Sequence, residues 1–98
     1  MGENMKIIEI EDKKYKIIKN YRDAFDEEIF KEKYTSFFDI YDYIVGDIAY
    51  SKLRLKGFAN NKNKNFNKIN DYSKLENYIK ENCAYDCRYF ILEKIKEK

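Results

Sequence analysis

The 98-residue chain carries 20 basic and 18 acidic side chains, no histidine, no proline and three glycines. That length is one domain, and zero histidine removes the commonest metal ligand and general base. No apolar run is long enough to cross a membrane, and the N-terminus lacks the apolar core of a signal peptide. With only two cysteines the expected compartment is the reducing cytoplasm.

The net charge of +2 is unevenly placed. Residues 1–50 hold 8 basic and 12 acidic side chains, and residues 51–98 hold 12 and 6. A basic half can mark an anionic partner. Lys, Asn, Ile, Tyr and Phe are also what A/T-rich codons supply, which discounts any argument from lysine or asparagine density alone.

Met1 to Asn4 read as a loose terminus. Met5 to Ile10 read as a strand, Glu11 to Lys14 as a polar turn, and Tyr15 to Lys19 as a returning strand. After the connector Asn20 to Ala24, Asp26 looks like an N-cap, with Glu27 and Glu28 in the first turn, where the helix dipole favours anions. Phe25 and Phe30 fit a hydrophobic staple. Phe30, Tyr34, Phe37, Phe38 and Tyr41 then fall at helical spacing, so the pattern predicts a helix over 26–38 whose aromatic stripe is core.

The stretch 41–58, YDYIVGDIAYSKLRLKGF, reads as a hairpin. Side chains alternate along a strand, so a turn centred on Tyr50 and Ser51 sets Ile48 opposite Leu53 and Asp47 opposite Arg54. A one-residue slip would oppose Ile48 and Lys52 and misplace the leucines. The chosen register makes Asp47 and Arg54 a structural pair and turns Ile44, Ile48, Leu53 and Leu55 to the core. Tyr50-Ser51 lacks the residues that favour positive φ, so a four-residue loop, Ala49 to Lys52, is expected. Gly57 is expected to end the second arm or allow a bulge.

Residues 59–70 are a loop by composition, with Phe66 and Ile69 as candidate anchors. Ser73-Lys-Leu-Glu76 has the form of a capping box for a helix over 73–82, burying Leu75, Tyr78, Ile79 and Cys83. Arg88 to Ile95 is a last strand, apolar on both faces and therefore central. The order is β-β-α-β-β-α-β: a single α+β domain over 1–98, mainly antiparallel, with two helices.

Candidate chemistry is thin. Cys83 and Cys87 make a C-x3-C pair, two ligands where zinc usually takes four and one residue too long for a redox C-x-x-C. They read as small buried hydrophobes with a redox role as the alternative. Asp42, Asp47 and Asp86 form no evident acid–base pair. The spacing assigns no catalytic residue, no metal and no cofactor.

The one functional pattern is basic. Lys52, Arg54 and Lys56 share a strand face with Tyr43, and Lys62, Lys64 and Lys68 follow in the loop. Cations beside an aromatic are how sheets hold single-stranded RNA. On this reading both helices cover the opposite face and the six cations form one positive surface, a site for RNA or a ribonucleoprotein. Reversing Arg54 and Lys56 to Glu would then leave the fold intact. The competing reading is a protein-interaction adaptor that uses its acidic and basic halves.

The segments DYIVGD (42–47) and LRLKGF (53–58), the run NYRDAFDEEIFKEKY before them, and Cys83 and Cys87 followed by Tyr89-Phe90 resemble the YutD-like family, a domain of unknown function from low-GC Gram-positive bacteria. The resemblance spans residues 5–95. Where other members carry Trp and Gly after the Gly-Asp, this chain has Ile48 and Ala49. The resemblance implies a small cytosolic α+β protein and brings no catalytic assignment.

Overall fold

In the computed structural model, residues 6–82 and 87–95 are described. The expected loose ends, Cys83 and Asp86 lie outside them. Five strands form one antiparallel sheet: β1 (Ile7–Ile10), β2 (Lys13–Tyr21), β3 (Tyr43–Ala49), β4 (Lys52–Phe58) and β5 (Arg88–Ile95), in spatial order β1-β2-β5-β3-β4. The strand apolar on both faces, β5, is central.

That double-sided strand dictates the layers. Phe90 and Leu92 join Ile8, Tyr15, Phe30 and Ile44 in a core on one face; Ile91 joins Tyr43, Val45, Phe58 and Leu75 in a core on the other. Side chains alternate along β2, so Ile17 faces the first core and Ile18 the second, at the point where a bulge shifts the register on β5 between Ile17 and Lys19. The helix α1 (Glu27–Lys33) covers the first face and α2 (Leu75–Asn82) the second. The expectation that both helices share one face is therefore corrected: Tyr43 and Val45 are themselves core-forming, and an uncovered sheet face carrying them would expose apolar surface.

The first helix is shorter than its stripe suggests. Asp26 caps it by accepting from the Ile29 N–H, and the Phe25 and Phe30 rings meet at 5.7 Å. After Lys33 the chain leaves helical geometry, and Thr35 caps a separate 3-10 turn over Ser36–Ile40. Threonine's hydroxyl offers the backbone an alternative to the helix ladder. The break leaves Phe37 62% exposed instead of on the stripe. In the second helix Asp71, not Ser73, is the cap: it accepts from the Ser73 N–H and opens a 3-10 turn, Tyr72–Lys74, that runs into α2.

The β3–β4 register is the one the apolar pattern selects, Asp47 opposite Arg54 and Ile48 opposite Leu53. The turn is tighter than expected. Ala49 pairs with Lys52, and Tyr50 and Ser51 take φ of 54° and 64°, a two-residue loop of the primed kind. Glu11 and Asp12 do the same between β1 and β2, with φ of 50° and 70°. With only three glycines in the chain, ordinary residues accept left-handed backbone because that twist matches the strands. The loop at 59–70 is ordered by its asparagines rather than by Ile69, which is 77% exposed. Asp42 is buried, and its Oδ2 accepts from the Asn60 N–H (2.8 Å) and Asn63 Nδ2 (3.0 Å). Asn70, also buried, donates its amide to the Asn65 carbonyl.

Gly57 neither ends β4 nor makes a bulge; the Tyr41 ring lies over it. Gly46 likewise gives its side-chain space to the Phe90 ring. Gly46→Ala is expected to cost about 1–3 kcal/mol from overpacking, read as a lower urea midpoint at unchanged slope.

Candidate functional site

The cations read from the sequence do not assemble into one surface. Lys56 is half-buried, its ammonium 5.1 Å from the Phe58 ring centroid and 5.7 Å from that of Tyr78, and desolvation pushes its pKa down. Tyr43 is buried, stacked on Tyr72 at 3.7 Å with 9° between ring planes. Burial, then the nearby Glu93, pushes its phenol pKa up. Its ring face is thus engaged within the second core. Lys62, Lys64 and Lys68 are exposed, but their loop is tied to Asp42 and the Ile40 carbonyl, at the end of the hairpin remote from its turn. Lys52 sits at the turn, six residues up β4, roughly 20 Å away by strand rise.

Arg54 has an internal task. Asp47 is only 3% exposed, and Arg54 meets its Oδ1 from both Nε and Nη2 at 2.8 Å. The same guanidinium donates to the Asn82 carbonyl at 3.1 Å, the C-terminal end of α2, where the helix dipole favours a cation. The Asp47 hydrogen bond, then its charge, raises the Arg54 pKa. Arg54 therefore neutralises a buried carboxylate and pins α2 to the sheet. Its substitution by Glu is no longer an innocuous surface change.

What the structure does bring together is a groove of about 560 Å³ at the tip of the hairpin. It runs past the outer side of β4, between the end of α1 at Lys33 and the end of α2 at Glu81 and Asn82. Leu53 and Ala49 supply apolar floor, Lys33, Lys52 and Arg54 supply positive charge, and Glu81 supplies one negative charge. Tyr50 lines it while 93% exposed at the turn. Lys33, Tyr50, Glu81 and Asn82 were not singled out from the sequence. The signal for Tyr50 was available: a large aromatic at the apex of a tight turn has no core to enter.

A second polar cluster is structural. Tyr34 donates to Asp39 and meets the Tyr15 hydroxyl at 3.3 Å; Lys13 Nζ lies 3.2 Å from Asp39, and Lys94 Nζ donates to the Asp39 carbonyl. Burial would raise the Asp39 carboxyl, but the Tyr34 hydrogen bond and the charges of Lys13 and Lys94 outweigh it and hold the pKa low. Burial, then the bond to Asp39, drives the Tyr34 phenol well above its ordinary range. Both shifts freeze a charged carboxylate and a neutral phenol, unlike the poised pair an acid–base catalyst needs. Among the described residues no group of three or more acidic, histidine or cysteine side chains could hold a metal. Cys87 is half-buried, and Cys83, the other half of the C-x3-C pair, lies outside the described residues. Among the described residues no helix is long and apolar enough to cross a membrane.

A family model described as "Putative antitoxin YutD-like" matches residues 9–93. The chain belongs to the YutD-like family. A curated relative, "Putative antitoxin YutD" of Bacillus subtilis (strain 168), is 40% identical over 91 residues, covering 93% of this chain and 100% of the relative. The solution NMR structure of protein yutD from B. subtilis superposes with a TM-score of 0.79 at 37% identity, over 99% of this chain and 88% of that one.

Two substitutions separate structural from free cations in this YutD-like domain. Arg54→Glu leaves the buried Asp47 facing a like charge and is expected to cost about 2 kcal/mol or more. Lys52→Glu, exposed at the turn, should stay within about 0.5 kcal/mol; chemical denaturation of both variants checks the contrast. Asp39 gives a pH signature. Its folded pKa lies below the ordinary 3.8, so its contribution to stability is present above that value and is lost as pH falls through the folded pKa. The stability gap between wild type and Asp39→Asn should therefore be full at pH 7 and close on acidification below about pH 4.

Proposed function

We propose that the protein is a non-enzymatic, cytoplasmic module that binds a protein partner through the groove at the tip of the β3–β4 hairpin. The observation that carries this reading is Tyr50, an aromatic 93% exposed beside a part-apolar groove that also carries Lys33, Lys52 and Glu81. Tyrosine is among the residues enriched at protein interfaces and at their binding hot spots. The description of its relative as a "Putative antitoxin" fits a protein that acts by holding a partner rather than by turning over a substrate.

The nucleic-acid reading loses its stacking platform, since the Tyr43 ring is packed on Tyr72 and α2 lies over that sheet face. It also loses Arg54 and Lys56 as free phosphate ligands, since one is held by Asp47 and the other sits against Phe58 and Tyr78. Lys52, Lys62, Lys64 and Lys68 stay exposed as scattered charges.

The test compares immobilised wild type with Tyr50→Ala and Lys52→Glu in lysate, with and without RNase. The expected result is a discrete retained protein that survives RNase and is lost with both variants. Retention abolished by RNase, or RNA binding at about 50 mM salt that falls steeply as salt rises, would overturn the reading in favour of nucleic acid.

A further inference from the structure

We propose that the free edge of β4 receives an extended acidic segment of the partner protein as a sixth strand, seated in the hairpin-tip groove. This rests on the protein-binding reading and names how that site is used. The strand β4 lies at the end of the sheet, and β3 is the strand it pairs with. One row of its backbone N–H and C=O groups therefore points away from the sheet, a template for an added strand. The chain itself begins such a lane. Just beyond β4, the Ala59 N–H donates to the Asn70 carbonyl at 2.7 Å and the Tyr72 N–H donates to the Ala59 carbonyl at 3.0 Å, a parallel bridge between Ala59 and Asp71. The chain then turns away into α2, and the rest of the edge, Lys52–Phe58, has no neighbouring strand among the described residues.

The groove fixes the chemistry of the occupant. It lies beside the turn end of this edge, with the end of α1 on one side and the end of α2 on the other. Side chains alternate along a strand. An added strand therefore meets Leu53 with one set of side chains and, with the other, Lys52 and the half-exposed outer side of Arg54, which stays bonded to Asp47. Apolar residues alternating with acidic ones complement both faces at once. A second copy of this chain is the poorer occupant, because β4 against β4 would set Lys52, Arg54 and Lys56 of two copies on one face, where like charges repel.

The probe is a synthetic eight-residue peptide alternating Val and Glu, titrated into the full chain labelled for amide NMR. The expected result is saturable shifts confined to Lys52–Phe58 and the Tyr50 turn, with slowed amide exchange along β4. N-methylation of alternate peptide amides should weaken binding by about tenfold or more, because it removes the ladder bonds and keeps the side chains. A Val-Lys peptide should not bind. Equal affinity of the N-methylated and parent peptides, shifts elsewhere, or a concentration-dependent dimer through β4 would overturn strand addition. If the Val-Glu peptide fails while a partner is still captured in a Tyr50-dependent way, strand addition falls and the protein-binding reading stands. If that capture also fails, both fall.

Discussion

A strand that is apolar on both faces cannot lie at an edge or against water, and β5 is such a strand. Phe90 and Leu92 need cover on one side and Ile91 on the other. The sheet must therefore place β5 between β2 and β3 and carry a helix on each face. The rest of the architecture follows from that demand. Gly46 stands opposite Phe90 because only a missing side chain admits the ring into the first core. Alternation along β2 lets it serve both cores, with Tyr15 and Ile17 in the first and Ile18 against the second.

Covering the second face creates an electrostatic problem, since β4 brings Arg54 and Lys56 toward α2. The protein solves it with two different devices. Arg54 is matched to the buried Asp47 and to the carbonyl end of α2, so a cation beneath a helix becomes a fastening. Lys56 lays its stem along Phe58 and Tyr78. Most of the hairpin's charge is thus consumed in holding the fold. What remains free lies at the tip, where both helices end and an exposed tyrosine stands beside an open strand edge. The functional proposal follows from this division between engaged and unengaged groups.

The long loop shows how composition can mislead in the other direction. Six asparagines in twelve residues look like codon bias or a mobile segment. In the structure they act as short hydrogen-bonding arms, with Asn60 and Asn63 closing on Asp42 and Asn67 and Asn70 on each other's backbone. Asparagine's ability to bond its near neighbours makes an Asn-rich loop rigid wherever a buried acceptor such as Asp42 is within reach.

The sequence by itself determined what depends on short-range periodicity: the element order, the β3–β4 register, the Asp26 cap with its Phe25–Phe30 staple, and the central place of β5. Each is a local pattern whose alternative would send apolar side chains to water. Tertiary structure alone decided which face α2 covers, because Lys52, Arg54 and Lys56 look like a solvent face until the end of α2 is placed against Arg54. It also decided where the first helix breaks, since a continuous aromatic stripe cannot reveal that Thr35 will cap a new turn or that Tyr34 will bond Asp39 and Tyr15. The groove joins Lys33, Tyr50 and Asn82, residues far apart in sequence and near only because two helices end beside one strand edge. No local pattern encodes that meeting, because it depends on three packing decisions at once.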